Sequence, residues 1–212
     1  MRRVFWDDPY RFRLETTVAA VDGQAVELEE TIFYAFAGGQ ESDYGDIAGR
    51  PVLEAVNYGD RIEYILADGH GLRAGDAVVV RVDPDRRLKL MRLHSAAELV
   101  LQLMYSATGG ARKTGAHISA DKARLDFSFA VSVAPLLPAI AALVNEAVAA
   151  DLSIECGYWG ESSERRSWRV NGFEPVPCCG THPLRTGEIG AVRLKRENPG
   201  KGVERVEIRL RP

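Results

Sequence analysis

Val82-Asp83-Pro84-Asp85-Arg86-Arg87-Leu88-Lys89-Leu90-Met91-Arg92-Leu93-His94-Ser95-Ala96-Ala97-Glu98 is the stretch on which the fold turns. Upstream of it the chain is written in short, alternating runs. Downstream, residues 93–106 contain neither Gly nor Pro and place apolar side chains at 93, 96, 97, 100, 101 and 104. That spacing follows the helical period and predicts a helix over 93–106. Residues 83–87 read as the joint between two modules.

Working back from the joint, residues 12–21 are strand-like and end at Asp22-Gly23, a tight-hairpin signal. Residues 25–34 alternate, with Val26, Leu28 and Ile32 apolar, and a loop rich in Gly, Ser and Asp spans 37–49. Runs at 52–56, 61–66 and 77–82 follow, punctuated by Gly59-Asp60, Asp68-Gly69 and Gly75-Asp76. Short strands with regular turns predict a β-barrel-like domain over 1–88. Working forward, 117–130 reads as strand, turn, strand. Ser132 is positioned to cap a helix over 135–150, with Leu136, Ile140, Leu143, Val144 and Val148 on one side and Pro138 in the first turn, where a missing N–H costs little. Strands are expected at 153–158 and 166–170, and a hairpin pairs 192–196 with 206–210 across 198–202. The expected class is α+β, with an α/β domain over 89–212.

The chain has 212 residues, 46% hydrophobic and 27% charged, which is enough apolar material for a core. Twenty Gly and ten Pro are ordinary numbers, so collagen-like and disordered classes are excluded. No apolar run reaches the roughly 18 residues of a membrane span, so no membrane partner is expected. Arg2 and Arg3 precede no apolar stretch, so the start does not read as a secretory signal. Three cysteines, an odd number, argue against a disulfide framework and for a cytoplasmic location.

The formal net charge of −3 argues against nucleic acid at first sight. It is unevenly spread, however. Residues 1–88 carry 10 Lys/Arg and 17 Asp/Glu, whereas 89–212 carry 17 and 13. Arg193, Lys195, Arg196, Lys201, Arg205, Arg209 and Arg211 fall on or between the final two strands. Alternation sets several of them opposite Val192, Leu194, Ile208 and Leu210, as a candidate phosphate-contacting patch diluted by Glu204 and Glu207.

Two clusters carry candidate chemistry. His94 and Glu98 are four apart on the predicted helix and share a face. Cys178 and His182 are four apart in Pro177-Cys178-Cys179-Gly180-Thr181-His182-Pro183, a loop able to curl both onto one point. All four are competent zinc ligands, and two local pairs from distant sequence are a common way to build a tetrahedral site. Cys179 is expected as a small buried hydrophobe and Cys156 as core. No Gly-x-Ser-x-Gly elbow or phosphate-binding loop is present. Asp151, Glu155, Glu161 and Glu164 form no catalytic pair. His70 reads as a turn residue and His117 as an exposed loop residue.

Four stretches, in order, resemble the freestanding alanyl-tRNA editing proteins, relatives of the editing domain of alanyl-tRNA synthetase. Residues 31–45, Thr-Ile-Phe-Tyr-Ala-Phe-Ala-Gly-Gly-Gln-Glu-Ser-Asp-Tyr-Gly, resemble the glycine-rich motif. The stretch quoted first resembles the lead into the His-x-x-x-His motif. Gly115-Ala116-His117-Ile118 through Ala123-Arg124-Leu125-Asp126-Phe127 resembles the central strands. Pro177 to His182, through Thr186-Gly187-Glu188-Ile189-Gly190, resembles the Cys-x-x-x-His motif. The departures are Glu98 for the second helical histidine, Ala35 and Ala37 in the glycine-rich motif, Ser95 and Ala97 for threonines, and Cys179-Gly180 for Gly-Gly.

The resemblance implies a trans-editing hydrolase that cleaves the ester of mischarged tRNA(Ala), foremost seryl-tRNA(Ala), with one zinc ion. It implies metal ligands His94, Glu98, Cys178 and His182, and a catalytic set of His94, Cys178, His182 and Gln40. Substrate contacts would come from Thr31, Gly38, Gly39 and Ser95, with Thr31 reading the serine hydroxyl or, on the other reading, facing solvent from a strand. The glycine-rich loop of the first domain would cover the site of the second. The partner would be the tRNA acceptor end, with no DNA. Glu98 leaves two outcomes. As a ligand it neutralises the metal with thiolate Cys178 and weakens its Lewis acidity. Otherwise three protein ligands leave an open position, the pattern of a catalytic site. A deacylase for another amino acid and a non-catalytic RNA-binding module are the alternative functions.

Overall fold

The computed structural model describes residues 1–158, 166–200 and 202–211; Glu161, Glu164 and Lys201 lie outside the described residues. The chain divides into two compact units, Met1–Ala37 with Glu41–Leu88, and Gly38–Gln40 with Lys89–Pro212.

The first unit holds β1 (Arg2–Arg3), β2 (Arg13–Asp22), β3 (Ala25–Leu28), β4 (Glu30–Thr31), β5 (Gly45–Ile47), β6 (Arg50–Pro51), β7 (Glu54–Asn57), β8 (Ile62–Ile65) and β9 (Ala77–Val82). Seven of these form a sheet in the order β6-β5-β9-β2-β3-β8-β7. The long β2 makes the bend. Its first half pairs β9, its second half pairs β3, and the register shifts between Val18 and Ala20. Such a bulge raises the local twist. The sheet therefore curls as a half-barrel with open edges at β6 and β7. Leu14, Val18, Val26, Leu28, Ile62, Tyr64, Val78 and Val80 fill its inner face.

Arg87 and Asp43 fasten this unit. Both side chains are fully buried and paired. Arg87 Nε donates to Asp43 Oδ1 at 2.9 Å, and its terminal nitrogens donate to Asp43 Oδ2 and to the carbonyls of Pro9 and Ile32. Asp43 also accepts the Tyr34 N–H at 2.7 Å. Removing one partner of such a pair strands a buried charge and costs about 3–5 kcal/mol. Thr31 is buried rather than solvent-facing. Its hydroxyl lies 2.6 Å from the Tyr64 hydroxyl and accepts the Phe33 N–H at 3.0 Å.

The helix expected at 93–106 is α1 (Pro84–Thr108). It absorbs the expected joint, because Asp83 Oδ1 accepts the N–H groups of Asp85 and Arg86 at 2.9 and 3.2 Å. An acceptor at the cap followed by Pro at the first position is a helix start, so 83–87 is the first turn of a helix, and the boundary between the units falls inside that helix, after Leu88.

The second unit continues with β10 (Arg112–Ile118), β11 (Ala123–Ser128), α2 (Leu137–Ala149), β12 (Ile154–Tyr158), β13 (Arg166–Val170), β14 (Val176–Pro177), a 3-10 turn at Thr186–Ile189, β15 (Val192–Gly200) and β16 (Val203–Leu210). One antiparallel sheet runs β10-β11-β16-β15 and another β12-β13-β14. Ala96, Leu99, Val100, Leu125, Phe127, Ile140, Val144, Trp168, Val206 and Ile208 are among the buried side chains of its core. Asn145 on α2 bonds both the N–H and the C=O of Val192, pinning helix to strand.

Several expectations need correction. Ser132 does not cap α2; it accepts the Ala134 N–H in a preceding turn, and the helix starts after Leu136 without a side-chain cap. Leu143 is exposed, because the buried stripe is Leu137, Ile140, Val144 and Ala147. Cys179 is exposed and not a buried hydrophobe. His117 sits half-buried in β10, not on an exposed loop. Arg196 pairs with the buried Glu204 on the sheet face shared with Leu194, so neither belongs to a patch with Arg193.

Candidate metal centre

Helix α1 carries His94, Ser95 and Glu98 on adjacent positions of its buried side. The segment after β14 carries Cys178 to His182. The Cys178 N–H donates to the Arg166 carbonyl at 2.9 Å, and Arg92 Nε from α1 donates to the Ile189 carbonyl at 2.9 Å beyond the loop. The first bond ties the loop to β13, and the second ties the segment beyond the loop to α1. The Gly38–Gln40 segment belongs to the same unit. It runs beside β10, where Gly39 O accepts the Ile118 N–H at 2.7 Å. Gly39 has φ +93, and a Cβ there would sit 2.7 Å from the Ala116 carbonyl oxygen, so only glycine fits.

His94, Cys178 and His182 converge. Their ligand atoms lie within 4.8 Å of one another. Cys178 Sγ is 3.5 Å from His94 Nε2 and 3.1 Å from His182 Nε2. Tetrahedral zinc, with bonds of about 2.3 Å to sulfur and 2.0–2.1 Å to nitrogen, sets the S–N separation at about 3.6 Å. The donor set and its spacing therefore fit such an ion.

Both histidines are held from behind. Gln40 Oε1 lies 2.7 Å from His94 Nδ1 and accepts the Thr181 N–H at 3.1 Å, while Gln40 Nε2 donates to Thr181 Oγ1 at 2.9 Å. An amide oxygen only accepts, so His94 Nδ1 carries the proton and Nε2 is left to ligate. Ser95 Oγ lies 2.9 Å from His182 Nδ1 and ties the far side of the second imidazole. Metal-binding histidines characteristically have the far nitrogen tied in this way. Gln40 and Ser95 thus stand behind the ligands, as groups that orient them.

Glu98 Oε1 lies 3.3 Å from His94 Nε2. Its carboxylate stands outside the group of three mutually close donors. Burial disfavours charge on His94, but Cys178 and Glu98 outweigh it and lift its pKa to about 10. Burial pushes His182 well below the usual imidazole range, with the charges of His94 and Arg166 acting the same way. Burial also raises the Cys178 thiol, against the pull of His94. Metal binding displaces these protons, since the ligands are thiolate and neutral imidazole. The two cavities of about 670 Å³ in the second unit lie elsewhere, one lined by Asp151, Glu155 and Arg169, the other by Gln102, Leu143 and Phe173.

Residues 169–207, which include Cys178, His182 and most of the final hairpin, match the family described as the threonyl and alanyl tRNA synthetase second additional domain. The chain is 31% identical over 213 residues to the alanyl-tRNA editing protein AlaX-M of Pyrococcus horikoshii, covering 99% of this chain and 97% of that protein. The chain belongs to the alanyl-tRNA editing protein family. A second AlaX-M, from Methanosarcina mazei, is 28% identical over 98% of this chain and 95% of its own length. The alanine–tRNA ligase of Methanocorpusculum labreanum is 31% identical over 98% of this chain but only 25% of the ligase.

Within this editing-family chain, sequence reading missed three supporting residues. Gly180 packs its α-carbon against His94 and Gln40, leaving no room for a side chain. Thr181, buried, completes the Gln40 bonds. Trp168, fully buried, has its ring 6.4 Å from that of His182, and its indole N–H has no partner among the described residues. None has a local pattern that marks it; only the family's Gly-Thr-His run hinted at the first two. Thr31 lies in the first unit and outside this cluster.

Proposed function

We propose that the chain is an aminoacyl-tRNA deacylase that clears mischarged tRNA(Ala), foremost seryl-tRNA(Ala), at the His94–Cys178–His182 centre. The observation that carries the reading is the pair of histidines held by Gln40 and Ser95 with both free nitrogens turned to Cys178. The full-length similarity to alanyl-tRNA editing proteins supports the substrate class. In the reaction, water adds to the acyl carbon, the ester C–O bond breaks and the amino acid leaves as its carboxylate; of the two protons of the water, one goes to the terminal ribose oxygen and the other to solvent. A bound zinc ion would supply Lewis acidity to that step. The three mutually close donors leave a fourth position for the ion, with the Glu98 carboxylate 3.3 Å from His94 Nε2 beside it.

The protein groups have separable tasks. Gln40 keeps the His94 proton on Nδ1. Ser95 fixes the plane of His182. Main-chain N–H groups at Gly38 and Gly39, where the backbone is bare of side chains, and at Gln40 are candidate donors for developing oxyanion charge. Preference for serine would need a polar group that hydrogen-bonds the serine hydroxyl. Such a site rejects alanine because its own polar group would stay unpaired.

The test is a deacylation panel of seryl-, glycyl- and alanyl-tRNA(Ala), with and without chelator, together with elemental analysis. The expected result is one zinc per chain, release of serine, sparing of alanine, and loss of both metal and activity in Cys178→Ala. Full activity in protein without metal would overturn the metal-dependent mechanism. Inactivity across the panel with retained tRNA binding would favour the non-catalytic module.

A further inference from the structure

The β10-β11-β16-β15 sheet has two unlike faces. Val192, Val206, Ile208, Ala123, Leu125 and Phe127 pack into the core on one. Alternation places Arg193, Lys195, Glu197, Arg205, Glu207, Arg209, Arg124 and Asp126 on the other. On that face each central carboxylate is shared by two cations. Asp126 takes Arg124 and Arg205, both at 2.6 Å, and Glu207 takes Lys122 at 2.5 Å and Arg209 at 2.8 Å. Arg193 and Lys195 form no ion pair among the described residues, and both are exposed. The strands of that face thus carry five cations against three carboxylates, and the turn before β11 adds Lys122 and Asp121, the latter acting on Arg209.

The edge has a second peculiarity. Arg193 stands directly opposite Arg209 across the two strands. Like charges directly opposed in a sheet are destabilising. Here they are retained beside a concavity of about 320 Å³ lined by Arg193, Leu194, Lys195, Glu207 and Arg209. An anion seated between the two guanidinium groups turns that repulsion into attraction. Glu207, anchored by Lys122 and Arg209, fixes the Arg209 side chain along the wall of the hollow.

We propose that Arg193, Lys195 and Arg209 form a phosphate-binding edge that grips the sugar–phosphate backbone of the tRNA substrate. This rests on the deacylase reading for the identity of the RNA. The contact reads backbone and not bases, so it contributes affinity and register without sequence preference.

The test measures binding of tRNA(Ala) by fluorescence anisotropy across a salt series, for wild type, Arg193→Gln/Lys195→Gln and Arg193→Glu/Lys195→Glu. Arg73→Glu, on an exposed turn of the first unit, is the control for general charge. Removing each phosphate contact should lower the slope of log K against log salt by about 1, so both double variants should show a slope shallower by about 2. KM for aminoacyl-tRNA should rise in the same order, glutamine then glutamate, with zinc content unchanged and the thermal midpoint no lower than that of wild type, since the opposed Arg193–Arg209 pair is relieved. An unaltered slope and affinity in both double variants, with wild type active, would overturn the edge and leave the deacylase standing. A wild type inactive on every aminoacyl-tRNA, with the slope change intact, would overturn the deacylase and leave the edge. An equal loss in Arg73→Glu would reduce the effect to overall charge and overturn the edge.

Discussion

Gly180→Ala is a one-methyl perturbation aimed at the metal centre. A Cβ built there falls far inside contact distance of two atoms of the His94 ring and 2.7 Å from Gln40 Oε1. Ordinary contacts begin near 3.5 Å, so the ring must retreat by about 1 Å. Zinc ligand distances tolerate only about 0.2 Å, and the His94–Gln40 bond of 2.7 Å stretches in the same movement. Overpacking of this kind costs about 1–3 kcal/mol, and the disturbed hydrogen bond adds about 1 kcal/mol. A displacement of about 1 Å at a reacting centre costs about 100-fold in rate. The expectation is a folded protein whose melting point falls by several degrees, with less than stoichiometric zinc and seryl-tRNA(Ala) deacylation reduced by about 100-fold or more. Elemental analysis, thermal unfolding with and without chelator, and single-turnover deacylation measure the three. Cys179→Ala, one residue away but exposed, should change none of them. Wild-type zinc content and rate in Gly180→Ala would refute the argument that His94 is clamped between Gly180 and Gln40.

Ser95→Ala should weaken zinc affinity by about 10–100-fold in a competition titration, because His182 loses the bond that holds its ring; unchanged affinity would remove Ser95 from the supporting shell. Thr31→Val should lower the stability of the first unit by about 1 kcal/mol for each hydrogen bond lost, because the buried hydroxyl lies 2.6 Å from the Tyr64 hydroxyl and accepts the Phe33 N–H, and an unchanged thermal midpoint would refute it. Glu207→Gln bears on acid stability. Hydrogen bonds from Arg209 and Lys122 hold the Glu207 pKa down to about 2 from 4.5. A depressed carboxylate contributes stability above its unfolded pKa and loses it as pH falls through the folded value. The melting-point advantage of wild type over Glu207→Gln should therefore be full above about pH 4.5 and vanish towards pH 2, and a constant difference from pH 7 to pH 2 would refute it.

What the sequence made legible was whatever one element encodes by itself. The period of 3.6 at residues 93–106 gave the helix, and the alternation at 192–196 and 206–210 gave the hairpin, which extends further to Gly200 and back to Val203. The i, i+4 spacing put His94 and Glu98 side by side, at 3.3 Å. Legibility failed where the answer was tertiary. Asp83 looked like a linker residue, and only its bonds to the Asp85 and Arg86 N–H groups identify a cap. The bond from Gln40 to Thr181 spans 141 positions and has no local signature. Ser95 was legible only as standing where the editing family has a threonine, and its bond to His182, 87 positions away, has no local signature. Leu143 fits a helical stripe by number, yet the stripe is narrower than the pattern allowed.

Gly38–Gln40 belongs to the second unit while the chain on both sides of it belongs to the first. No single cut therefore separates the two. A fragment begun at Lys89 would contain all three donors but not the acceptor that keeps the proton on His94 Nδ1. A transplanted first unit would carry away that acceptor as an orphaned amide. Along the chain, three residues of the second unit interrupt the first. Recombination that shuffles such pieces has to move them together.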